Sequence, residues 1–237
     1  MTDFDRIFKQ ALEEYQITLD DYAVARFCKY NDLLVEWNEK INLTALTEPH
    51  DVAQKHFIDS LMLLRYADIP RGASLIDVGT GAGFPGLAVK IARLDIQLTL
   101  LDSLQKRIGF LEKVCTALEL DGVTTIHSRA EDGARTELRD SFDFATARAV
   151  APLNILCEYC LPYVKTGGSF LAMKGKTAEE ELLQSQNALE QLGGRLKNIH
   201  SFPLGDAGER GIIEIEKLSP TPEKYPRKSK QIKNKPL

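Results

Sequence analysis

After residue 72 the chain alternates short apolar runs with helical segments, and this alternation limits the possible folds more than any other feature. The first run, SLIDVG, ends in a glycine, and six further runs follow it. Short apolar runs bounded by turn residues are typical of parallel strands buried on both faces. The last two, LKNIHSFPL and RGIIEIEKL, are joined by a short link, so we expect them to pair antiparallel. The sequence therefore predicts an α/β fold with a mostly parallel, doubly wound, seven-stranded sheet.

Residues 1–66 follow a helical pattern instead. Phe4, Phe8 and Leu12 recur at helical spacing, and a second helix is predicted over residues 22–39, capped by Thr18 or Asp20. The polar stretch NLTALTEPHD separates it from a further helix over residues 52–66. We therefore expect a helical extension over residues 1–66, a sheet domain over residues 67–218 and a C-terminal tail over residues 219–237.

The charge is distributed unevenly along the chain. The net charge is −4, but residues 218–237 contain six Lys and Arg against one acid, which is a net +5 on an otherwise acidic protein. A basic tail favours a polyanionic partner, and a solvated, disordered end explains the same composition. Composition alone leaves both interpretations open.

Several classes of protein are disfavoured. No apolar run approaches the roughly 18 residues that a membrane span needs, and the acidic N-terminus lacks the pattern of a signal peptide, so we expect a cytoplasmic protein. Cys157 and Cys160 form a C-x-x-C, but no second pair and no histidine pair completes a metal site. We expect buried, reduced thiols on an apolar helix and no bound metal.

A glycine-rich loop over residues 77–86, DVGTGAGFPG, connects the first strand to a helix. Glycines there allow a ligand to approach the backbone closely at a helix start. The spacing of Gly81, Gly83 and Gly86 matches the dinucleotide fingerprint, and Asp102 at the end of the second strand can bind a ribose hydroxyl in either NAD or S-adenosylmethionine. The loop by itself does not distinguish the two cofactors.

Three features favour S-adenosylmethionine. Asp77 lies two residues before Gly79, where a carboxylate suits the cationic methionine end of that cofactor better than a pyrophosphate. Pro85 removes a backbone donor where a phosphate would need one. The late segment LPYVKTGGSFLAMKG has the order helix, glycine turn and strand that class I methyltransferases have.

Two more positions complete a predicted pocket. Ala130 and Glu131 follow the third strand, where an adenine would lie, and Arg148 ends the fourth strand. The carboxyl ends of the strands line the ligand crevice of such sheets, so we expect Arg148 to face the ligand, although a surface salt bridge would also explain it.

The residues after the fourth strand limit the substrate. The sequence RAVAPL has neither the Asp/Asn-Pro-Pro-aromatic motif of adenine-N6 enzymes nor the nucleophilic cysteine of cytosine-C5 enzymes. This absence suits a substrate that is already nucleophilic, such as the N7 of a guanine. Catalysis would then rest on positioning and electrostatics.

Several blocks together resemble a bacterial family, the glucose-inhibited division protein B family, also called ribosomal RNA small subunit methyltransferase G. The matching blocks are residues 37–45, 55–61, 75–86, 129–131, 147–153, 174–176, 209–210 and 225–228. The resemblance covers nearly the whole chain, although SKQIK at residues 229–233 departs from the family's usual glycine and proline residues. It implies a class I, Rossmann-like methyltransferase fold and methylation of a guanine N7 in 16S ribosomal RNA, with S-adenosylmethionine as donor.

The resemblance also implies site residues. Gly79, Phe84, Ala130, Glu131 and Arg148 are similar to cofactor contacts of the family, with Arg148 the expected catalytic residue, and the pattern itself adds Asp77, Gly81 and Asp102. The expected partner is 16S rRNA, in a small ribosomal subunit or an assembly intermediate, bound by a monomer. Expected RNA contacts are Asn42, His56, Lys174, Lys176, Arg210, Arg227 and Lys228.

The polar segment between the N-terminal helices is expected to cover the cofactor crevice as a lip. Its members are Asn42, Thr44, His56, Asp59 and Ser60. His56 is equally well explained as an interior histidine. Three other functions stay open at this point: a small-molecule methyltransferase, a dinucleotide-dependent oxidoreductase and a ribosome-binding protein without catalysis.

Overall fold

The computed structural model describes residues 2–148 and 151–237, so Ala149 and Val150 of the RAVAPL block lie outside the described residues. Within the described ranges seven strands form one sheet in the order β3-β2-β1-β4-β5-β7-β6. The strands are β1 (Ser74–Val78), β2 (Gln97–Asp102), β3 (Val123–His127), β4 (Phe142–Arg148), β5 (Val164–Gly175), β6 (Gly194–Pro203) and β7 (Glu209–Lys217).

The direction of each strand agrees with the sequence prediction. Strands β1 to β5 pair in parallel. Strand β7 inserts between β5 and β6 and is antiparallel to both, so the last two apolar runs pair as predicted. From β1 the chain builds the sheet first in one direction, through β2 and β3, and then in the other, through β4 and β5. An open α/β sheet forms its ligand crevice at such a change of direction.

Helices cover both faces of the sheet and precede it. The predicted helix over residues 52–66 consists of a π-helix, Val52–Ile58, followed by an α-helix. The helix that the sequence predicts after β5 is divided into two at Ser185. None of the described helices has the length and apolarity to cross a membrane. The α-helices are α1 (Asp3–Glu14), α2 (Asp21–Ile41), α3 (Pro49–Asp51), α4 (Asp59–Tyr66), α5 (Gly86–Ala92), α6 (Gln105–Ala117), α7 (Ala130–Gly133), α8 (Leu153–Cys160), α9 (Ala178–Gln184), α10 (Gln186–Leu192) and α11 (Ser229–Asn234).

The first two helices begin at side-chain caps. Thr2 and Asp5 form a reciprocal capping box at α1, and the Asp20 carboxylate accepts a hydrogen bond from Ala23 N at 2.7 Å, which identifies Asp20 as the cap of α2. Each cap satisfies backbone N–H groups that a helix start leaves without intrahelical partners. The start of the N-terminal extension is therefore encoded locally.

An aromatic cluster joins the N-terminal helices to the sheet domain. The Phe57 ring lies 5.6 Å from Phe8, 4.9 Å from Phe27 and 5.7 Å from Phe84, measured between ring centroids. Phe84 belongs to the glycine loop, so the π-helix packs directly against the predicted ligand site. The extension and one face of the sheet share one hydrophobic core. The three-part division of the chain stays a prediction.

The C-terminal tail is folded onto the other face of the protein. Tyr225 and Ile232 are buried in the core that α8 and β5 also line. Arg227 forms an ion pair with Glu158 of α8, with 2.6 Å between Nη2 and Oε2. The interpretation of the tail as a solvated, disordered end is therefore wrong, because two apolar side chains and a buried carboxylate bind it to the body.

Removing the Phe57 ring should strongly destabilise the protein. Phe57→Ala takes a fully buried ring out of contact with at least four other aromatic side chains, and such changes cost about 3–5 kcal/mol. Urea denaturation measures the free energy of unfolding. Tyr22→Ala is the control, because Tyr22 is 80% exposed on α2 and should change stability by less than about 0.5 kcal/mol. A loss below about 1 kcal/mol for Phe57→Ala would contradict this role of the cluster.

Candidate active site

The carboxyl ends of β1 to β4 bring the predicted ligand residues to one edge of the sheet. A cavity of about 410 Å³ is lined by the glycine loop, Asp102, His56 and Arg148. A second one, of about 190 Å³, is lined by Gly79, Ala130 and Glu131. Both cavities are lined by Gly79 and Ser103, so they adjoin, and we call the two together the crevice. Two adjoining cavities of this kind suit a nucleoside with a polar extension.

The glycine loop leaves space for a ligand above its backbone. Gly79 and Gly81 have φ of 72° and 61°, in the left-handed region that favours glycine. A Cβ atom placed on Gly81 would have no heavy atom within 4 Å, so the space beside this residue is open. Gly81 N donates a hydrogen bond of 2.9 Å to Asp102 Oδ2, which connects the loop to the end of β2.

Asp77 lies beneath the loop and holds it in shape. Its Oδ2 accepts hydrogen bonds from Thr80 Oγ1 at 2.7 Å and Gly86 N at 2.8 Å. A Cβ on Gly86 would approach this oxygen to 2.8 Å, so only glycine fits there. Burial raises the pKa of Asp77 to about 6, and Oδ1 is buried without a hydrogen-bond partner among the described residues. The predicted contact with a cationic ligand stays a prediction, and this anionic oxygen would suit one.

Asp102 is buried at the end of β2, with 2% of its surface exposed. Besides Gly81 N, its carboxylate accepts a hydrogen bond from Leu104 N at 2.9 Å and lies 3.3 Å from Arg107 Nη1. These contacts fix the carboxylate at the wall of the larger cavity. The geometry suits the predicted recognition of a ribose hydroxyl, because each carboxylate oxygen accepts more than one hydrogen bond.

Ala130 and Glu131 begin α7, beside the smaller cavity. Tyr163 Oη donates a hydrogen bond of 2.7 Å to Ala130 O, which fixes the backbone at this turn. Glu131 is buried, with its carboxylate 4.0 Å from Arg129 Nη1. The predicted adenine contacts therefore lie together in the structure, and their contact with a ligand stays a prediction.

Arg148 connects the end of β4 to the N-terminal extension. Its Nη1 donates to Lys55 O at 3.0 Å and to Asp59 Oδ2 at 2.9 Å, and its Nη2 donates to His56 Nδ1 at 3.2 Å. The guanidinium carbon lies 5.1 Å from the centre of the Phe84 ring. This is a partly buried network at the cavity, different from the surface salt bridge that was the alternative.

His56 is a neutral component of the same network. Its ring stacks on Phe84 at 4.5 Å with an interplanar angle of 8°, and its Nε2 lies 2.8 Å from Thr44 Oγ1. Because Nδ1 accepts from Arg148, the ring proton belongs on Nε2. Burial and the Arg148 charge lower the pKa of His56 to about 3. The side chains of Phe84, His56 and Arg148 thus form a wall, which we call the aromatic–arginine wall.

Another cavity, of about 400 Å³, shares His56 and Arg148 with the crevice. We call it the basic cavity. Asp59 contacts two of its arginines, with Arg210 Nε 3.6 Å from Asp59 Oδ1. Lys174 is largely buried and donates to Glu181 at 2.6 Å and to Ala151 O at 2.9 Å. The basic cavity is also lined by Leu46, Lys55, Met173 and Gly175.

The predicted RNA contacts fall into two groups. His56, Lys174 and Arg210 line the basic cavity, and Lys176 is exposed one residue beyond Gly175, which also lines it. Asn42, Arg227 and Lys228 line neither the crevice nor the basic cavity: Asn42 caps the end of α2, and Arg227 pairs with Glu158. Contact of all seven with RNA stays a prediction.

Sequence reasoning missed two charged residues of the basic cavity, Lys55 and Glu181. Glu181 belongs to α9 and accepts hydrogen bonds from Lys174 and from Leu153 N at 2.8 Å. Lys55 lines the cavity, while its ammonium binds Asp51 at 2.7 Å and Asp206 at 3.1 Å. Glu181 stands in a run of three consecutive glutamates, so only the tertiary contact distinguishes it.

The C-x-x-C thiols are buried in α8. Cys157 and Cys160 are both free and fully buried, and burial raises the pKa of each thiol well above its usual range. Thiols of this kind are unreactive, because the thiolate is the reactive form. The prediction of buried, reduced cysteines is confirmed.

The chain is similar to known proteins over nearly its whole length. Residues 23–211 match the family model described as rRNA small subunit methyltransferase G. The chain is 47% identical over 233 residues to the ribosomal RNA small subunit methyltransferase G of Clostridium perfringens (strain SM101 / Type A), with 98% of both chains covered. It is 49% identical over 223 residues to the protein of the same name from Bacillus subtilis (strain 168), with 93% of both chains covered.

Solved structures show the same fold at low sequence identity. M. jannaschii TYW2 in complex with AdoMet has a TM-score of 0.56 at 13% identity, over 70% of this chain and 77% of that chain. A SAM dependent methyltransferase from Aquifex aeolicus has a TM-score of 0.52 at 18% identity, over 71% and 93%. At these identities the similarity concerns the fold alone, and it confirms the predicted Rossmann-like methyltransferase fold.

His56 should make the stability of the protein depend on pH. Its pKa is about 3 in the folded protein against 6.5 for an ordinary histidine. Between these pH values His56 binds a proton in the unfolded chain but not in the folded protein. The contribution of neutral His56 to the free energy of unfolding is therefore fully present above pH 6.5 and is lost as the pH falls towards 3. His56→Gln removes the titrating group and should reduce this loss.

Urea denaturation of the original protein and of His56→Gln at about pH 7.5 and pH 5 tests this expectation. The original protein should lose more free energy of unfolding than the variant on acidification. Asp77, with its pKa raised to about 6, acts in the opposite direction, but it is common to both proteins and cancels in the comparison. The same pH response in both proteins would contradict the assignment.

Proposed function

The chain belongs to the rRNA small subunit methyltransferase G family, and from this premise we propose that it transfers a methyl group from S-adenosyl-L-methionine to N7 of a guanine in 16S ribosomal RNA. The proposed partner is the small ribosomal subunit or an assembly intermediate of it, bound by a cytoplasmic monomer. The match of family and fold favours S-adenosylmethionine over a dinucleotide at the glycine loop.

One observation carries the proposal at the level of the site: the crevice and the basic cavity share the aromatic–arginine wall. His56 and Arg148 line both. A group transfer requires donor and acceptor on adjacent, simultaneously accessible sites, with little freedom in between. Two cavities that adjoin at the same two side chains support such an arrangement.

The crevice fits the proposed cofactor. Asp102 would hold the ribose, Ala130 and Glu131 the adenine, and the open space beside Gly81 would receive the ligand against the backbone. The unpaired Asp77 oxygen behind the loop suits a cationic group in front of it. S-adenosylmethionine supplies an electrophilic methyl group on a sulfonium.

The basic cavity fits a guanine as the acceptor. N7 of guanine carries a lone pair and no proton, so the reaction needs no general base, and His56, whose pKa is lowered to about 3 and whose Nδ1 accepts from Arg148, is unsuited to be one. Arg148 uses three of its five N–H donors on described residues. The remaining donors can bind acceptor atoms of a purine, and the fixed guanidinium positions it.

Cationic groups at the basic cavity suit the RNA backbone. Arg210 has one carboxylate contact, shared with Arg148, and Lys176 is exposed at the end of β5. Phosphate contacts of this kind position a nucleic acid without reading its sequence. We therefore propose that Arg210 and Lys176 hold the strand that carries the target guanine, and that Lys174 supports the cavity wall through Glu181.

Ribosomal RNA from a strain without this gene tests the function. Cleavage specific for N7-methylated guanine, followed by primer extension, should show the loss of one modified position in 16S rRNA. The gene should restore it, and Arg148→Ala should not, with a rate loss of about 100-fold or more in vitro because the acceptor is no longer positioned. Arg195→Ala is the matched control, because Arg195 is exposed and pairs with Glu216 on the outer strands. An unchanged methylation pattern in the deletion strain would contradict the proposal.

Gly81→Val should abolish binding of S-adenosylmethionine, because the new side chain would fill the open space beside the loop. Gly72→Val is a matched control: Gly72 also has a positive φ and open surroundings, but it lines a cavity at the opposite end of β1. Both variants should lose about 1–2 kcal/mol of stability from backbone strain. Calorimetric titration should detect no binding by the first and ordinary binding by the second. Affinity within a few-fold of the original protein in Gly81→Val would contradict the site.

A further inference from the structure

The C-terminal tail is attached to α8 by a buried ion pair. Glu158 is fully buried, and Arg227 contacts both of its oxygens, at 2.9 Å from Nε to Oε1 and 2.6 Å from Nη2 to Oε2. The backbone N–H of Arg227 also donates to Oε1 at 2.7 Å. The remaining guanidinium nitrogen donates to Lys235 O at 3.0 Å, beyond the end of α11. One side chain therefore connects the body of the protein to both ends of the last helix.

Further contacts hold the same segment. Arg139 donates to Tyr225 O at 2.9 Å, and Arg135 donates to Pro226 O. Ile232 on α11 is fully buried, and Tyr225 is nearly so. Isolated helices of this length do not form in water, so α11 depends on these contacts for its structure.

The attached helix reaches the ligand crevice. Ser229 and Lys233, four residues apart on one face of α11, line the smaller cavity together with Ala130 and Glu131. Tyr159 of α8 also lines that cavity. Lys230 lies on the same helix, three residues before Lys233, and it is exposed and does not line the cavity.

We propose that the C-terminal tail is part of the cofactor site, with Ser229 and Lys233 contacting the adenosine portion and the Arg227–Glu158 pair positioning them. This inference rests on the proposed function, which places that portion in the smaller cavity. A serine hydroxyl and a lysine ammonium donate hydrogen bonds to ring nitrogens and ribose oxygens, and the lysine methylenes cover apolar ring surface.

The proposal gives the basic tail a different role from RNA attraction. If the tail attracts RNA by its positive charge, neighbouring lysines contribute nearly equally. A lysine that contacts a ligand in a cavity must instead stand at one particular position. Lys233 and Lys230 carry the same charge on the same short helix. They are therefore a matched pair that separates the two roles.

Calorimetric titration of the full-length protein with S-adenosylmethionine and with S-adenosylhomocysteine tests the proposal. Lys233→Gln should raise the dissociation constant of both by about fivefold to tenfold, the effect of one lost hydrogen bond of ordinary strength. Lys230→Gln should leave both constants unchanged. Dissociation constants that stay unchanged in both variants would overturn the proposal. Equal weakening in both variants would also overturn it, because the effect would then come from charge alone.

Hydrogen exchange provides a second measurement that does not depend on activity. Binding of S-adenosylhomocysteine should slow amide exchange over residues 229–234, because the ligand and the helix stabilise each other. Arg227→Lys, which loses the bidentate pair, should weaken both this protection and the affinity. Ligand binding without any change in exchange over these residues would overturn the proposal. Absence of binding to the original protein would instead contradict the proposed function.

Discussion

The hydrogen bonds of the Arg148 guanidinium join the two parts of the active site. Arg148 ends the fourth strand of the sheet, and its partners Lys55 O, His56 and Asp59 belong to the N-terminal extension. A π-helix at Val52–Ile58 is followed directly by α4, so that the three hydrogen-bond partners of this guanidinium come from a single helical segment. Short π-helices are frequent at functional sites.

Most of the sheet could be predicted from the sequence, because each strand is a local apolar run and each turn has its glycine or polar residues. The antiparallel pairing of β6 with β7 also followed from the short link between LKNIHSFPL and RGIIEIEKL, but the insertion of β7 between β5 and β6 did not. The π-helix could not be predicted, since residues 52–58 have the same apolar spacing as an α-helix. It depends on tertiary packing of Phe57 against Phe27 and Phe84.

The candidate site was predictable where it follows from strand ends. Gly79, Asp102, Glu131 and Arg148 meet at one edge because parallel strands end there together. Charged residues outside the strands were less predictable, because a charge in the sequence does not specify its partner. Lys174 is bound to Glu181 and Arg227 to Glu158, two glutamates that no sequence pattern distinguishes. The basic composition of the tail likewise concealed that its apolar residues Tyr225 and Ile232 fold it onto α8.

The charges around the wall are consistent with a transfer that moves no proton. His56 stays neutral because burial and Arg148 lower its pKa to about 3, and its ring is committed to the contact with Arg148. Asp59 is shared by Arg148 and Arg210, so the pair of arginines retains one excess positive charge facing the basic cavity. Such a surface attracts the acceptor atoms of a guanine and a phosphate backbone. On the proposed function, the same arginines would position the guanine and would weaken the binding of the product, because they disfavour a purine that has become cationic by methylation at N7.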